Sequence, residues 1–158
     1  MNTLKELKGV LTMAKKIDTL AMLKRMRETA KTGLQSGVWF PTIADNVGVE
    51  LFGTVSRIFG YEYDGEQRMA FELRLEAETA FEVIVDGNTT ERAELKAGDL
   101  VLVSLSGQLK HLFEKFNVMP GVFAYLKYEG KDQSKKIRGN HPHTWTYSFF
   151  DPGTGETN

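Results

Sequence analysis

Cationic side chains cluster in one glycine-punctuated stretch near the end of the 158-residue chain, at Lys131, Lys135, Lys136 and Arg138. Segments rich in aromatic residues, 122–129 and 144–150, flank this stretch on both sides. Lysine and arginine bind phosphate oxygens, and aromatic rings stack on other flat rings. The combination therefore suits an anionic, flat ligand such as unpaired bases on a phosphate backbone. The alternative is an ordinary solvated hairpin loop.

The aromatic residues alternate with other types, as expected in strands. In 122–129, one set of alternating positions holds Val122, Ala124, Leu126 and Tyr128, and the other holds Phe123, Tyr125 and Lys127. If the first set fills a core, the second exposes two rings beside a lysine, which is unusual on a soluble strand without a ligand. In 144–150, Trp145, Tyr147 and Phe149 alternate with small polar residues and form either core or platform. A third group, at the end of an earlier strand-like segment, comprises Arg57, Phe59, Tyr61 and Tyr63.

Catalytic and metal chemistry have weaker signals. The chain has no cysteine, and His141 and His143 flank a proline without the spacing of a typical zinc site. No nucleophile elbow or glycine-rich phosphate loop is present. The carboxylates of Glu72, Glu76 and Glu82 lie on predicted strands, but Arg74 between the first two is typical of a solvated sheet surface. We therefore expect no enzyme activity, no metal and no cofactor.

Charge is unevenly distributed along the chain. Residues 1–31 carry eight basic and three acidic residues, a net charge of +5, whereas 50–99 carry five basic and twelve acidic residues, a net charge of −7. The acidic segment is unusual for a nucleic-acid-binding protein and favours protein contacts instead. The absence of cysteine, of a membrane-length apolar run and of a signal-peptide pattern predicts a soluble, cytoplasmic protein without membrane contact.

The first 36 residues have the pattern of a basic amphipathic helical extension. They are rich in helix-forming residues and lack proline, and their apolar stripe rotates after Asp18. The pattern predicts two helices, or one helix that contacts two partners. We expect this extension to pack on its own domain or to pair two subunits of a homo-oligomer.

From Val38 onward the apolar period becomes two. Strands are predicted at 49–63, 68–77, 81–86, 97–107, 122–129 and 144–150, and a short helix at 108–117. Gly53 and Gly60 are the expected bulge or bend points of the first strand. The fold class predicted is α+β, mainly β: a small, closed, antiparallel barrel over 37–151, with a flexible tail at 152–158.

The order of these features resembles the OB-fold, and more narrowly the single-stranded-DNA-binding proteins encoded by tailed phages. The resemblance covers about 47–151 and rests on the long glycine-containing strand, the segments "GDLVLVSLSG" and "PGVFAYLKYEGKDQ", and the closing "HTWTYSFFD". It implies a ligand that crosses the sheet between the loops at 61–68 and 130–143. The implied contacts are Arg57, Phe59, Tyr61, Tyr63, Arg74, Phe123, Tyr125, Lys127, Lys131, Lys135, Lys136, Arg138 and Trp145.

The resemblance implies sequence-nonspecific binding of single-stranded DNA in replication, recombination or repair, with RNA as an alternative ligand. Two other function classes fit the same residues. One is a structural or adaptor protein, as found in virions, that uses the barrel for protein contacts. The other is a carbohydrate-binding barrel, in which exposed aromatic rings would contact sugars.

Overall fold

A computed structural model describes residues 37–137 and 139–158 of the chain. The predicted helical extension, 1–36, and Arg138 lie outside the described residues. The strands are β1 (Val38–Trp39), β2 (Glu50–Tyr63), β3 (Glu66–Leu75), β4 (Thr79–Asp86), β5 (Thr89–Leu95), β6 (Leu100–Ser104), β7 (Phe123–Lys131), β8 (His143–Asp151) and β9 (Glu156–Thr157). A helix, α1 (Gly107–Lys115), connects β6 to β7, and a 3₁₀ turn spans Ala44–Asn46.

The main sheet has seven strands in the order β1-β6-β3-β2-β7-β8-β9. Its long strands pair antiparallel, whereas β1 pairs parallel to β6. The segment β7-β2-β3-β6 has the spatial order of a Greek key, in which a fourth strand returns to lie beside the first. The helix α1 lies in the long connection that makes this return. The mainly β fold class predicted from the sequence is confirmed.

The sheet does not close into a barrel, so that part of the prediction is wrong. The outer edge of β6 pairs with β1, and the outer edge of β8 pairs with β9. A closed barrel would require β6 and β8 to pair with each other. Instead, a two-residue strand occupies the outer edge of each. The second of them forms part of the 152–158 tail: Thr157 is the register partner of Phe150.

The strands β4 and β5 form a separate two-stranded sheet. The sequence predicted β4 but not β5, because the segment "TTERAEL" contains two glutamates and an arginine and little apolar alternation. Its hydrogen-bonding partner is the neighbouring strand, joined through a turn at Gly87, whose φ is +54°. The hairpin contributes Phe81 and Leu95 to the core at its base, while Ile84 and Val85 are exposed near its tip.

The hydrophobic core lies against one face of the main sheet, which we call the inner face. Leu51 and Val55 of β2, Phe71 of β3 and Leu126 of β7 are fully buried there. The helix α1 covers this face through three buried apolar side chains at helical spacing, Leu109, Leu112 and Phe113. The opposite surface of the sheet is called the outer face below.

The first long strand changes register at a β-bulge rather than at a glycine. The pairing of β2 with β3 shifts between Val55 and Arg57, so Ser56 is the extra residue. Even-numbered side chains point to the outer face before the bulge, and odd-numbered ones after it. Gly53 has another role: a Cβ there would lie 2.3 Å from the carbonyl oxygen of Arg74, so the close approach of the two strands requires glycine.

No helix within the described ranges combines the length and the apolar character needed to cross a membrane.

Candidate nucleic-acid interface

The strand registers place eight of the predicted contact residues on the outer face. The bulge at Ser56 brings the odd-numbered residues of β2 to this face, and Arg57 lies opposite Glu72 of β3. On β7, Phe123 lies opposite Thr54, and the strand then alternates. The eight residues are Arg57, Phe59, Tyr61, Tyr63, Arg74, Phe123, Tyr125 and Lys127.

One group of these residues lies on the half of β2 that extends beyond β7, and Trp39 of β1 and Arg68 of β3 lie beside it. We call Trp39, Arg57, Phe59, Tyr61, Tyr63 and Arg68 the ribbon cluster. The Arg57 guanidinium lies 4.4 Å from the ring centre of Phe59, and the Arg68 guanidinium lies 5.1 Å from that of Tyr63. Phe59 and Tyr61 are 6.2 Å apart, centre to centre. A guanidinium group thus lies against the ring at each end of the row formed by Phe59, Tyr61 and Tyr63.

Trp39 was missed by the sequence reasoning. Its ring centre lies 5.4 Å from that of Tyr61. In the parallel pairing of β1 with β6, Trp39 is the register partner of Leu102, which places it on the outer face. The following residue, Phe40, is buried in the core. Two adjacent aromatic residues in an extended segment place one ring on each face, and that signal was present in the sequence.

A second group of rings lies at the other half of β2. We call Phe52, Phe123 and Phe150 the phenylalanine patch. The ring centres of Phe52 and Phe123 are 6.5 Å apart, and those of Phe123 and Phe150 are 6.3 Å apart. Phe52 and Phe150 are 42% and 41% exposed. Neither was predicted, although each adjoins a buried apolar residue, Leu51 or Phe149, and so had to lie on the opposite face.

Trp145, predicted to contact the ligand, is in the core. It is 6% exposed, is the register partner of Tyr128 on the inner face, and packs against Phe40 with ring centres 5.6 Å apart. Its backbone N–H donates to the Gln108 side chain of α1 at 2.7 Å. A base cannot stack on this ring in the folded structure, so Trp145 is removed from the candidate site.

Tyr125 and Lys127 occupy the outer face of β7 and are half-buried. The Tyr125 hydroxyl donates a short hydrogen bond to the Glu50 carboxylate. This hydrogen bond is the main reason that the pKa of Tyr125 is raised, with smaller contributions from burial and from the negative charges of Glu50 and Glu129. The hydrogen bond holds the Tyr125 ring against the strand β2.

The carboxylates of the outer face are all engaged with neighbouring groups. Glu72 is 6% exposed and accepts hydrogen bonds from the Ser56 hydroxyl at 2.8 Å and from Arg57 at 3.1 Å. Glu76 accepts one from the Thr54 hydroxyl at 3.0 Å. Glu72 is thus a buried ion-pair member and not the solvated carboxylate that the sequence suggested. Glu82, which the sequence analysis grouped with Glu72 and Glu76, lies instead on β4 in the separate sheet, where it is half-buried and accepts a hydrogen bond from Thr90.

Two cations on this face differ from the paired arginines. Among the described residues, Arg57 pairs with Glu72 and Arg68 with Glu66, both at 3.1–3.2 Å, but neither Arg74 nor Lys127 forms an ion pair. Arg74 is exposed. It lies on β3 as the register partner of Thr54, near the middle of β2. Within the described part of the chain, these two side chains thus remain available to an anionic group.

The described residues of the basic loop between β7 and β8 form a hydrogen-bonded hairpin. Asp132 donates its backbone N–H to the carbonyl of Pro142 at 2.8 Å, and Ile137 and Asn140 exchange backbone hydrogen bonds near the tip. The Asp132 side chain accepts hydrogen bonds from Ser134, which, with the nearby charges of Lys135 and His141, lower the pKa of this carboxyl group. The exposed side chains of Lys135 and Lys136 project from this framework.

Lys131 lies on the other side of the sheet from Lys127. A register shift between Tyr128 and Gly130 reverses the alternation of β7, so that Lys131 pairs with His143 on the side of Tyr128. There it lines a cavity of about 530 Å³ together with Val47 and Gln133. Among the predicted loop cations, Lys131 thus lies on the inner side of the sheet, Lys135 and Lys136 lie on the exposed loop, and Arg138 lies outside the described residues.

His143, the first residue of β8, has a structural contact. Its Nδ1 lies 2.7 Å from the Tyr128 hydroxyl, and burial, with the charge of Lys131, lowers the pKa of its imidazole. Within 37–137 and 139–158, no group of three or more His, Cys, Asp or Glu residues is arranged to hold a metal ion.

The chain was compared with protein-family models, with curated proteins and with solved structures, and none of these comparisons gave a match.

Proposed function

We propose that this protein binds single-stranded DNA without sequence preference through the outer face of its main sheet. The observation that carries the proposal is the shared face: eight residues named from the sequence, from three strands, lie together there. Half-exposed rings offer stacking surfaces to bases of any sequence, and arginine and lysine side chains beside them suit phosphates. Neither catalysis nor a cofactor is part of the proposal.

The topology supports the same proposal. The OB-fold is a five-stranded, partly open Greek-key barrel whose ligand crosses the sheet between two loops. Here the five longer strands of the main sheet contain a Greek key, with α1 before the penultimate one. The β2–β3 turn lies beyond Tyr63, and the basic loop lies beyond the opposite end of β2, near Glu50. A strand of nucleic acid that follows β2 would thus run from one loop to the other.

The charges of the outer face set the expected strength of the electrostatic contribution. Arg74, Lys127, Lys135 and Lys136 are the described cations without an ion pair that can contact phosphates on this path. Each phosphate contact with a single strand contributes about −0.7 to the slope of log affinity against log salt, so we expect a slope of about −3. This modest slope distinguishes the proposed site from a strongly basic one.

The test is a titration of the full-length protein with fluorescently labelled oligo-dT and with a duplex of the same length, at low and moderate salt. We expect preferential, salt-sensitive binding of the single strand. Double substitution Arg74→Gln and Lys127→Gln should lower the slope by about 1.4 while leaving stacking intact. Equal binding of duplex and single strand, or no binding at low salt, would refute the proposal.

A second function class is favoured by the β4–β5 hairpin. Residues 79–95 contain four carboxylates and one arginine, and the hairpin exposes Ile84 and Val85, at 53% and 47%. An acidic surface with exposed apolar side chains suits a basic protein partner better than a nucleic acid. Under this alternative, an adaptor or structural role, substitutions Ile84→Ser and Val85→Ser would abolish assembly seen by sizing and leave oligo-dT titrations unchanged.

A further inference from the structure

The phenylalanine patch is separated from the ribbon cluster along the same strand. Phe52 and Phe59 both point to the outer face of β2, on opposite sides of the bulge. At about 3.3 Å per residue they lie about 20 Å apart along the strand. The residues between them on this face are polar, Thr54, Ser56 and Arg57, and form hydrogen bonds with Glu76 and Glu72. The outer face therefore has two separate aromatic areas.

The phenylalanine patch forms one row of partly exposed rings on the sheet surface. Phe123 and Phe150 are direct register partners on β7 and β8, and Phe52 is diagonal to Phe123 on β2. Three rings from three strands thus lie in one row, with neighbouring centres 6.3–6.5 Å apart. Phe52 and Phe150 keep over two-fifths of their surface exposed. Such a contiguous apolar area on a sheet surface is typical of a binding site.

The cationic side chains beside the patch favour an anionic ligand with flat rings. Lys127 and Arg74, the outer-face cations without an ion pair among the described residues, lie on either side of the row, next to Tyr125 and Thr54. The nearest carboxylates, Glu50 and Glu76, accept hydrogen bonds from Tyr125 and Thr54. Aromatic faces flanked by available cations suit stacked bases with phosphates at their sides. The patch and the ribbon cluster share the strand β2.

We propose that the phenylalanine patch is a second base-stacking subsite for the same nucleic-acid strand. This inference rests on the proposed function. A strand that reaches both areas pays the entropy of association once, and the second area then binds it at a high effective concentration. Short oligonucleotides can occupy one area at a time. Affinity should therefore rise in a step, of about 100-fold, at the length that first spans both areas.

The experiment measures binding of labelled oligo-dT from four to twenty nucleotides to the full-length protein by fluorescence anisotropy. The key variant is Phe52→Leu with Phe150→Leu, which keeps apolar volume at two exposed positions but removes the aromatic faces. We expect this variant to lose the affinity step. The reciprocal variant, Phe59→Leu with Tyr61→Leu in the ribbon cluster, should lose the step as well, because two areas are needed to produce it.

The outcomes separate the two proposals. A step that survives in the Phe52→Leu, Phe150→Leu variant overturns the second subsite, as does a smooth rise of affinity with length in the unmodified protein. In both cases single-strand binding itself stands. If oligo-dT of every length fails to bind, the proposed function fails. Unfolding midpoints in urea, measured for each variant, identify any loss of affinity that is due to loss of structure.

Discussion

The two faces of the main sheet carry the same kinds of side chain and use them differently. The inner face buries Phe71, Tyr128 and Trp145 against α1 and the segment at Phe40. The outer face presents Phe52, Phe59 and Tyr61 beside arginine and lysine, half-buried or exposed. The comparison shows that ring content does not define a binding surface. What distinguishes the outer face is its incomplete burial and the arginine and lysine side chains that lie beside its rings.

The largest expected difference in stability between the two faces follows from removing one ring from each. Trp145→Ala deletes a core ring that is 6% exposed and should lower the free energy of unfolding by about 3–5 kcal/mol. Phe150→Ala, on the outer face, should lower it by less than about 1 kcal/mol. Urea denaturation followed by far-UV circular dichroism measures both. Similar losses in the two variants would mean that the faces are not distinct in packing.

The two glycines of β2 should differ in how much stability is lost when each is replaced by alanine. Gly53→Ala places a methyl group 2.3 Å from the Arg74 carbonyl oxygen and should cost about 2–3 kcal/mol of stability. Gly60→Ala meets the Arg68 carbonyl oxygen at 3.6 Å, an ordinary contact, and should change stability little. Thermal unfolding compares them. If Gly60→Ala proves the more damaging, the described approach of β2 to β3 is incorrect.

Removing an outer-face ring should affect binding and not stability. Tyr63 is 62% exposed and lies under the Arg68 guanidinium. Tyr63→Ala should weaken oligo-dT binding by about 1–2 kcal/mol, within the range for one stacked base, with an unchanged unfolding midpoint. Exposed Met119, which lies in the turn before β7, gives the control Met119→Ala. Unaltered affinity in a folded Tyr63→Ala protein would place the ligand elsewhere.

The smallest expected effect concerns pH and the inner side of the sheet. Because the pKa of His143 is lowered in the folded protein, the unfolded chain binds more protons below about pH 6.5. Stability should therefore fall as pH decreases from 6.5 toward the folded pKa, and this histidine should contribute no slope above that range. His143→Gln should reduce this slope relative to the unmodified protein. Urea unfolding of both proteins at pH 5.5 and 7.0 measures the difference, and an equal slope in the two would contradict the prediction.

Much of the fold could be predicted from the alternation of side chains. The segment 68–77 alternates without interruption, and β3 occupies most of it. The bulge in β2 could not be predicted, because the contacts that accompany it, between the buried Glu72 and both Ser56 and Arg57, join residues that are distant in sequence. The edge strands β1 and β9 have two residues each, which is too short for periodicity.

Alternation could assign the two faces of some strands of the candidate site and not of others. Where one face of a strand is apolar and the other mixed, as in β7, alternation assigned both faces correctly. In β8 the alternating set of Trp145, Tyr147 and Phe149 was as aromatic as a stacking surface, and only packing against Phe40 and α1 identifies it as core. Lys131 was misplaced relative to Lys127 because a second register shift follows Tyr128.

The two tryptophans allow the most direct test, because Trp39 lies on the outer face and Trp145 in the core. Two proteins with one tryptophan each, Trp145→Phe and Trp39→Phe, are titrated with oligo-dT while indole fluorescence is recorded. We predict strong quenching, proportional to the bound fraction, in the protein that retains Trp39, and little change in the one that retains Trp145. Saturable binding without any change in Trp39 fluorescence would contradict the assignment of the outer face as the nucleic-acid site.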